Sequence, residues 1–401
     1  MTDSTDRPLR ILSMADVPED PNAGASGAEY ETIAALRRHG HEVDDVWRDE
    51  MSHRIKHGNL HLAIELPREY ERIVRERLSR SEYDVVHVNQ PHGYRAAKLV
   101  RRHWPKTAFI HRSHGWEPHV REVLAHWRRI YGRDERTALR RAASTLLEPF
   151  VARHADAIVR WADGHILCSA QDAEYMQRRN RADPSALGVM PQAPPEAYNA
   201  AAALPFDATR LTTFLHVSQF AFFKAPMITA DAMNRIARER PDVRFVWVSG
   251  REHHDSIARL LSEETRPRLQ LLGWMSQREL RDVYDRAGVF LFPSFFEGSG
   301  KVHIEAMSRG LCVVASSVGG MRDYIQDGTS GVLVPPGDAE AFAREALALA
   351  GNLDRARSIS QAAARRAREY SWDRTAVETA AFYRACIARK RQALASYPLP
   401  R

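Results

Sequence analysis

The chain is short of the features that would label it quickly. No apolar run approaches the ~18 residues needed to span a bilayer. The opening stretch, Met1 to Arg10, is polar with no apolar core, so neither a spanning helix nor a secretory leader is expected. Cysteine is scarce: Cys168, Cys312 and Cys386 stand far apart, and no Cys-x-x-Cys occurs. That excludes a disulfide framework and leads us to expect buried, reduced thiols in a cytoplasmic protein. There is no Asp-x-Asp and no His-Glu-x-x-His. A metal-bridged diphosphate is therefore not indicated, and no metal ligand is assigned. Internal repeats, low-complexity tracts and the familiar nucleic-acid module signatures are missing as well.

What is present is the composition of an ordinary globular protein, with 44% hydrophobic and 27% charged residues. A length of 401 residues is long for one core, and ~150 residues per domain suggests two or three. The net charge is +7, from 58 Lys plus Arg against 51 Asp plus Glu. The excess gathers between about Arg95 and Arg160, where Arg101, Arg102, Arg128, Arg129, Arg140 and Arg141 fall among aliphatic and aromatic residues. Such a surface suits anionic lipid head groups at the inner membrane face or a charged acceptor; a solvated helical face explains it equally well. Nucleic acid, resting on charge alone, is not expected as a partner.

Short β-branched runs alternate with longer helical patterns. Strands are expected at Arg10–Met14, Asp84–Val88, Ala108–Arg112 and His165–Cys168, then at Thr213–Val217, Arg244–Ser249, Leu269–Leu272, Val289–Phe292 and Cys312–Ala315. Several are largely apolar rather than alternating, as expected for strands covered on both faces. Amphipathic segments such as Gly27–Arg38, Ala230–Arg240 and Gln277–Arg286 lie between them. This alternation predicts an α/β fold of parallel sheets. Met190–Pro205, rich in proline and alanine, reads as an interdomain linker, and the βα pattern restarts at Leu211. The expected division is an N-terminal Rossmann-like domain over 1–195, a second over 196–370 and a closing helix over 371–401, with two doubly wound sheets facing a central cleft. Helices are expected at Ala339–Leu349, Leu353–Tyr370 and from Arg374 to about Leu394, with Ser371 as a helix cap.

Phe292 to Gly320 carries the most information. Strand Val289–Phe292 ends at Pro293-Ser294, the turn Glu297-Gly298-Ser299-Gly300 follows, and a helix begins near Lys301. The glycines allow close backbone approach, and free N–H groups at the helix start attract phosphate. Glu305, one turn into that helix, would sit ~6–8 Å beyond the phosphate at ~1.5 Å per residue. That is roughly the reach to a nucleotide ribose, whose paired hydroxyls suit a carboxylate. Glu297 would face the other side, where the sugar hangs.

This stretch resembles the donor-site signature of the retaining glycosyltransferases of the family 4 type, which have the GT-B fold. Gly310–Ala315, Gly319-Gly320, Asp327-Gly328 and Gly331–Asp338 continue the likeness. The resemblance implies a nucleoside diphosphate sugar of the UDP or GDP type as donor, a glycan, lipid-linked or small-molecule hydroxyl acceptor, and no separate cofactor. It implies roles for further residues. Gly24-Ala25-Ser26-Gly27 is similar to the glycine loop near the donor phosphates. His114 resembles the histidine that reaches the transferred sugar, and Lys224 the lysine on the diphosphate. Gly273-Trp274 resembles the turn beside the base. Ser371-Trp372 and the last helix resemble the crossing back onto the first domain. Two departures stand out. Gln219 lies where the family usually has a second phosphate-binding arginine, for which Lys301 or Arg251 is a candidate replacement. Ser299 and Lys301 replace bulkier apolar residues. Rival readings with the same architecture are a sugar-nucleotide 2-epimerase and a non-catalytic sugar-nucleotide or glycan-binding protein.

Overall fold

The computed structural model describes residues 7–56, 58–132, 149, 152–200, 203 and 205–396. The chain divides into two compact units, Met1–Pro191 with Trp372–Arg401, and Gln192–Ser371.

The first unit holds β1 (Arg10–Met14), β2 (Glu42–Val46), β3 (Val85–Asn89), β4 (Ala108–Ser113), β5 (Gly164–Leu167) and β6 (Leu187–Val189). They form one parallel sheet in the order β2-β1-β3-β4-β5-β6. Crossover helices α1 (Ala25–Arg38), α2 (Leu66–Arg80), α3 (Tyr94–His103), α4 (Glu117–Tyr131) and α5 (Ala170–Asn180) join them. The core packs Leu12, Met14, Val86, Val88 and Phe109 from the strands against Tyr70, Val74 and Val100 from the helices. Strand β3, Val-Val-His-Val-Asn, is buried throughout, which is why it reads as a near-continuous apolar run.

The second unit repeats the scheme with β7 (Thr213–Val217), β8 (Arg244–Val248), β9 (Leu269–Leu272), β10 (Val289–Phe292), β11 (Cys312–Ser316) and β12 (Val332–Val334). Its order is β12-β11-β10-β7-β8-β9, again all parallel. Helices α6 (Pro226–Glu239), α7 (His254–Leu260), α8 (Gln277–Arg286), α9 (Lys301–Ser308), α10 (Ala339–Ala350) and α11 (Leu353–Ala367) accompany it. Ser276 opens α8 with a reciprocal capping box to Glu279, the arrangement that satisfies two orphan amides at once.

The last helix, α12 (Trp372–Ser396), belongs to the first unit, where it packs on α1 and β4. Lys390 Nζ donates to the Asp163 carboxylate and the Thr107 carbonyl, both at 2.7 Å.

The expected strands form to within a residue at each end. Three further strands, β2, β6 and β12, were not expected as such, and all three lie at sheet edges. Edge strands are short and half-wet, so they lack the apolar run that marks a central strand. The proline-rich stretch is also less of a linker than its composition suggests. The units part at Pro191/Gln192, and Glu196–Ala200 is helical. Tyr198 is buried in the second unit, donating its hydroxyl to the Gln277 carbonyl at 2.8 Å. The three cysteines are buried thiols outside any disulfide. Among the described residues no helix is long and apolar enough to cross a membrane. Arg101, Arg102, Arg128 and Arg129 are exposed, while Arg140 and Arg141 lie outside the described residues.

Candidate active site

In the second sheet the strand order reverses between β7 and β10. Crossovers leave these neighbours in opposite directions and open a crevice beyond their carboxyl ends, where doubly wound sheets bind ligands. The two loops that border it are tied together: the Phe295 amide donates to the Phe223 carbonyl at 2.8 Å. Lys224, on the loop after β7, donates from Nζ to Glu297 Oε1, on the loop after β10, at 2.5 Å. Both are largely shielded, at 15% and 6% side-chain exposure, so the pair is felt more strongly than a surface salt bridge. The faces of Phe223 and Phe292 lie 5.1 and 5.3 Å from the ammonium, a further cation-binding contribution.

After Glu297 the chain turns through Gly298, Ser299 and Gly300 into α9. Gly300 takes φ +75°, a conformation open chiefly to glycine. No side chain caps α9, so its first-turn amides are left as donors for an anion. A second glycine pair presses on this turn. A Cβ on Gly319 would lie 1.8 Å from the Glu297 carbonyl oxygen, and one on Gly320 2.4 Å from that of Ser299. The Gly320 amide donates to the Gly298 carbonyl at 2.7 Å. The turn is thus held from behind by backbone, which leaves its front face for a ligand.

Glu305 lies one turn along α9, buried. The Tyr284 hydroxyl, from α8, donates to its Oε2 at 3.1 Å, and Lys301 Nζ stands 4.0 Å from Oε1. Burial pushes the Glu305 carboxyl above its ordinary range, against the pull of Lys301 and Tyr284.

The remaining expected residues are placed as follows. The Ser299 hydroxyl is engaged with the Tyr324 hydroxyl at 2.9 Å and so anchors the turn. Gln219 is exposed at the end of β7. Arg251 lies over Gly273, where a Cβ would come within 2.6 Å of its Nε. Trp274, 54% exposed, follows β9 at the same carboxyl end of the sheet. One residue escaped the sequence reading: His303, fully buried under Gly300, with neither ring nitrogen hydrogen-bonded. Burial pushes it down to about 3, which makes it a neutral ring stacked on Phe292.

Gly24, Gly27 and His114 belong to the first unit. Gly24 has φ −64° and open space around its Cβ position. Gly27 is not on a loop: α1 starts at Ala25 and takes it into its first turn. His114, just past β4, donates from Nε2 to Glu29 Oε1 at 2.7 Å, and its Nδ1 lies 3.8 Å from Cys168 Sγ. Glu29 is itself buried, with Arg112 Nε at 3.1 Å. Burial opposes a charged His114, but Cys168 and Glu29 outweigh it and hold the imidazole up to about 9. Glu29 and Thr32 interrupt the buried face of α1, a pattern the sequence could have disclosed.

Residues 212–352 match the family described as Glycosyl transferases group 1. The match lies within the second unit and spans about a third of the chain; the fold, two parallel six-stranded sheets with helices, is that of the GT-B glycosyltransferases. The chain's curated relatives include the D-inositol 3-phosphate glycosyltransferase of Nocardioides sp., 29% identical over 78% of this chain and 69% of that one. The enzyme of that description from Streptomyces scabiei is 31% identical over 57% of this chain and 55% of its own length. In structure the chain is similar to the sucrose-phosphate synthase of Thermosynechococcus elongatus, with a TM-score of 0.73 at 20% identity, covering 97% of this chain and 100% of that one. Anabaena HepE, solved with UDP and glucose, gives a TM-score of 0.64 at 16% identity, over 93% and 98%.

Proposed function

We propose that this glycosyltransferase transfers a sugar with retention of configuration, from a nucleoside diphosphate sugar to a hydroxyl acceptor. The observation that carries the reading is the Lys224–Glu297 pair set against the uncapped start of α9, with Glu305 one turn beyond. A diphosphate at the first-turn amides would draw Lys224 away from Glu297 and onto its own charge. The ribose hydroxyls would donate to Glu305. Glu297, released, would orient the sugar.

In this reading the acceptor hydroxyl attacks the anomeric carbon from the face the diphosphate leaves. The new C–O bond forms as the bond to the phosphate oxygen breaks, and the hydroxyl proton passes to that oxygen. Lys224, by then on the diphosphate, and the first-turn amides stabilise the charge that develops on the leaving group. Lys301, first in α9, supplies a cation near the turn that Gln219 does not. His114 keeps the role that the resemblance implies, contact with the transferred sugar.

A thermal-shift panel of nucleoside diphosphates, followed by transfer assays with the sugar nucleotides of the best base, tests the proposal. UDP is the first to try, because HepE was solved with it. D-inositol 3-phosphate is the first acceptor to try, because the relatives are named for it. The expected result is a shift with one base and an α-linked product from an α-linked donor. No shift with any nucleotide would refute the site. Tight binding without transfer, or a product formed without acceptor, would favour a binding protein or an epimerase.

A further inference from the structure

The first sheet reverses its order between β1 and β3, so it too has a crevice beyond its strand ends. Polar groups that the donor chemistry does not use gather there. Asp16, two residues past β1, is buried. Its amide donates to the Tyr70 hydroxyl at 3.2 Å, and Arg48 holds it from one side, with Nε 3.2 Å from Oδ1 and another nitrogen donating to its carbonyl at 2.7 Å. From the other side come two imidazoles: His53 Nε2 stands 3.1 Å from Oδ1 and His61 Nε2 3.5 Å from Oδ2.

His61 is buried, and its Nε2 has no hydrogen-bond partner. Its Nδ1 lies 2.9 Å from Glu65 Oε2. A ring that donates from Nδ1 to Glu65 keeps a lone pair on Nε2. That lone pair then faces a carboxylate oxygen, lone pair to lone pair, at 3.5 Å. The Glu65 carboxylate also accepts the amides of Arg54 and Ile55, each at 2.9 Å, which ties the segment carrying His53 to the helix carrying His61. His61–Glu65 forms a π-helical turn just before α2, a local distortion frequent at functional sites.

We propose that Asp16, His53 and His61 are the protein ligands of one divalent cation of the zinc class. Two ligands held at ~2.0 Å and tetrahedral angles lie ~3.3 Å apart; with Oδ1 3.1 Å from His53 and Oδ2 3.5 Å from His61, the Asp16 carboxylate presents an oxygen near that spacing to each imidazole. The three ligand atoms all fall within 4.8 Å of one another. A set of two imidazoles and one carboxylate suits zinc, cobalt or nickel better than calcium or magnesium, which prefer oxygen. Glu65 completes the arrangement as the outer carboxylate that fixes the tautomer of a ligating histidine. Three protein ligands leave a fourth position for water or an anionic oxygen of a bound molecule. The positions 16, 53 and 61 match no metal-binding spacing, so only the fold brings them together.

The test uses the full chain, stripped with a chelator and dialysed, then titrated with zinc against a chromophoric competitor. The expected result is one equivalent bound by the wild type, with binding weakened ~10-fold or more by Asp16→Asn, His53→Ala and Glu65→Gln. Cobalt should give the intense visible bands of a tetrahedral ion, absent in Asp16→Asn. Zinc should raise the melting temperature of the wild type and not of Asp16→Asn, whose shape is preserved. No tight equivalent in the wild type, or one that survives Asp16→Asn and His53→Ala unchanged, would overturn the proposal. Overturned, the cluster would be a purely structural contact among His61, Glu65 and Asp16.

Discussion

Glu305→Ala separates ribose recognition from phosphate recognition. The side chain is buried, so a ligand hydroxyl that reaches it makes a hydrogen bond to a charged acceptor shielded from water. Each such bond contributes ~1.5–3 kcal/mol. Two hydroxyls give a gross ~3–6 kcal/mol, reduced because the free protein no longer carries a desolvated carboxylate. A net loss of ~3 kcal/mol, or ~10²-fold in Kd, is expected for the preferred nucleoside diphosphate by isothermal titration. Pyrophosphate, which has no ribose, should bind both proteins alike. A 2′,3′-dideoxy nucleotide should bind the wild type about as weakly as the normal nucleotide binds the variant, with no further loss when the two changes are combined. Folding should not suffer. The Tyr284 hydroxyl keeps the Val302 carbonyl at 3.3 Å, and the variant loses a carboxylate whose pKa burial raises. Because the acceptor must be ionised, wild-type affinity should also decline as pH falls through that raised value. A drop in nucleotide affinity of less than ~3-fold, or a parallel weakening of pyrophosphate, would refute ribose recognition by Glu305.

Three other outcomes follow from the same geometry. Glu297→Gln should lower kcat ~10²-fold while changing nucleotide Kd little, whereas Lys224→Met should weaken nucleotide and pyrophosphate together; titration beside steady-state kinetics distinguishes them. Gly319→Ala would put a methyl 1.8 Å from the Glu297 carbonyl oxygen, so the turn must move. We expect nucleotide binding to be lost and the unfolding midpoint of the second unit to fall, and a crystal structure of the variant with an unmoved turn would contradict this. For His114, held up to about 9 in the folded state, the linkage has a definite sign. Its stabilisation is complete below the ordinary histidine pKa of ~6.5 and is lost as pH rises through about 9. The stability gap between wild type and His114→Gln, measured by urea unfolding, should therefore shrink by up to about 3 kcal/mol between pH 6 and 9.5.

The central strands and the donor turn were legible because each carries a strong local signal. β10 is apolar throughout, β3, β4 and β7 carry apolar runs, and Glu297 to Glu305 sits where a strand, a glycine turn and a helix must follow in register. The edge strands were not legible, since β2 exposes Glu42 and keeps Asp44 and Asp45 half-wet. Contacts between residues far apart in sequence were equally hidden. Nothing in the spacing of Lys224 and Glu297 says that they touch, and only the strand order between β7 and β10 brings them together. The network under His114 draws on α1, β3, β4 and the residue after β5, so it exists only once the sheet is assembled. His303 was hidden for another reason: a histidine in a helix start reads as polar, yet this one is core.

The last helix has a consequence for how the protein is made. Its Tyr383 hydroxyl meets His87 on β3, and its Lys390 closes on Asp163. The ribosome therefore delivers the strands of the first unit early and the helix that covers them only after the whole of the second unit, 192–371, has emerged. At ~5–20 residues per second that interval is on the order of ten seconds or more. The second unit is one unbroken stretch and can fold on release. The first completes its packing on α1 and β4 only when the last helix arrives, so the half synthesised earlier is the later to finish.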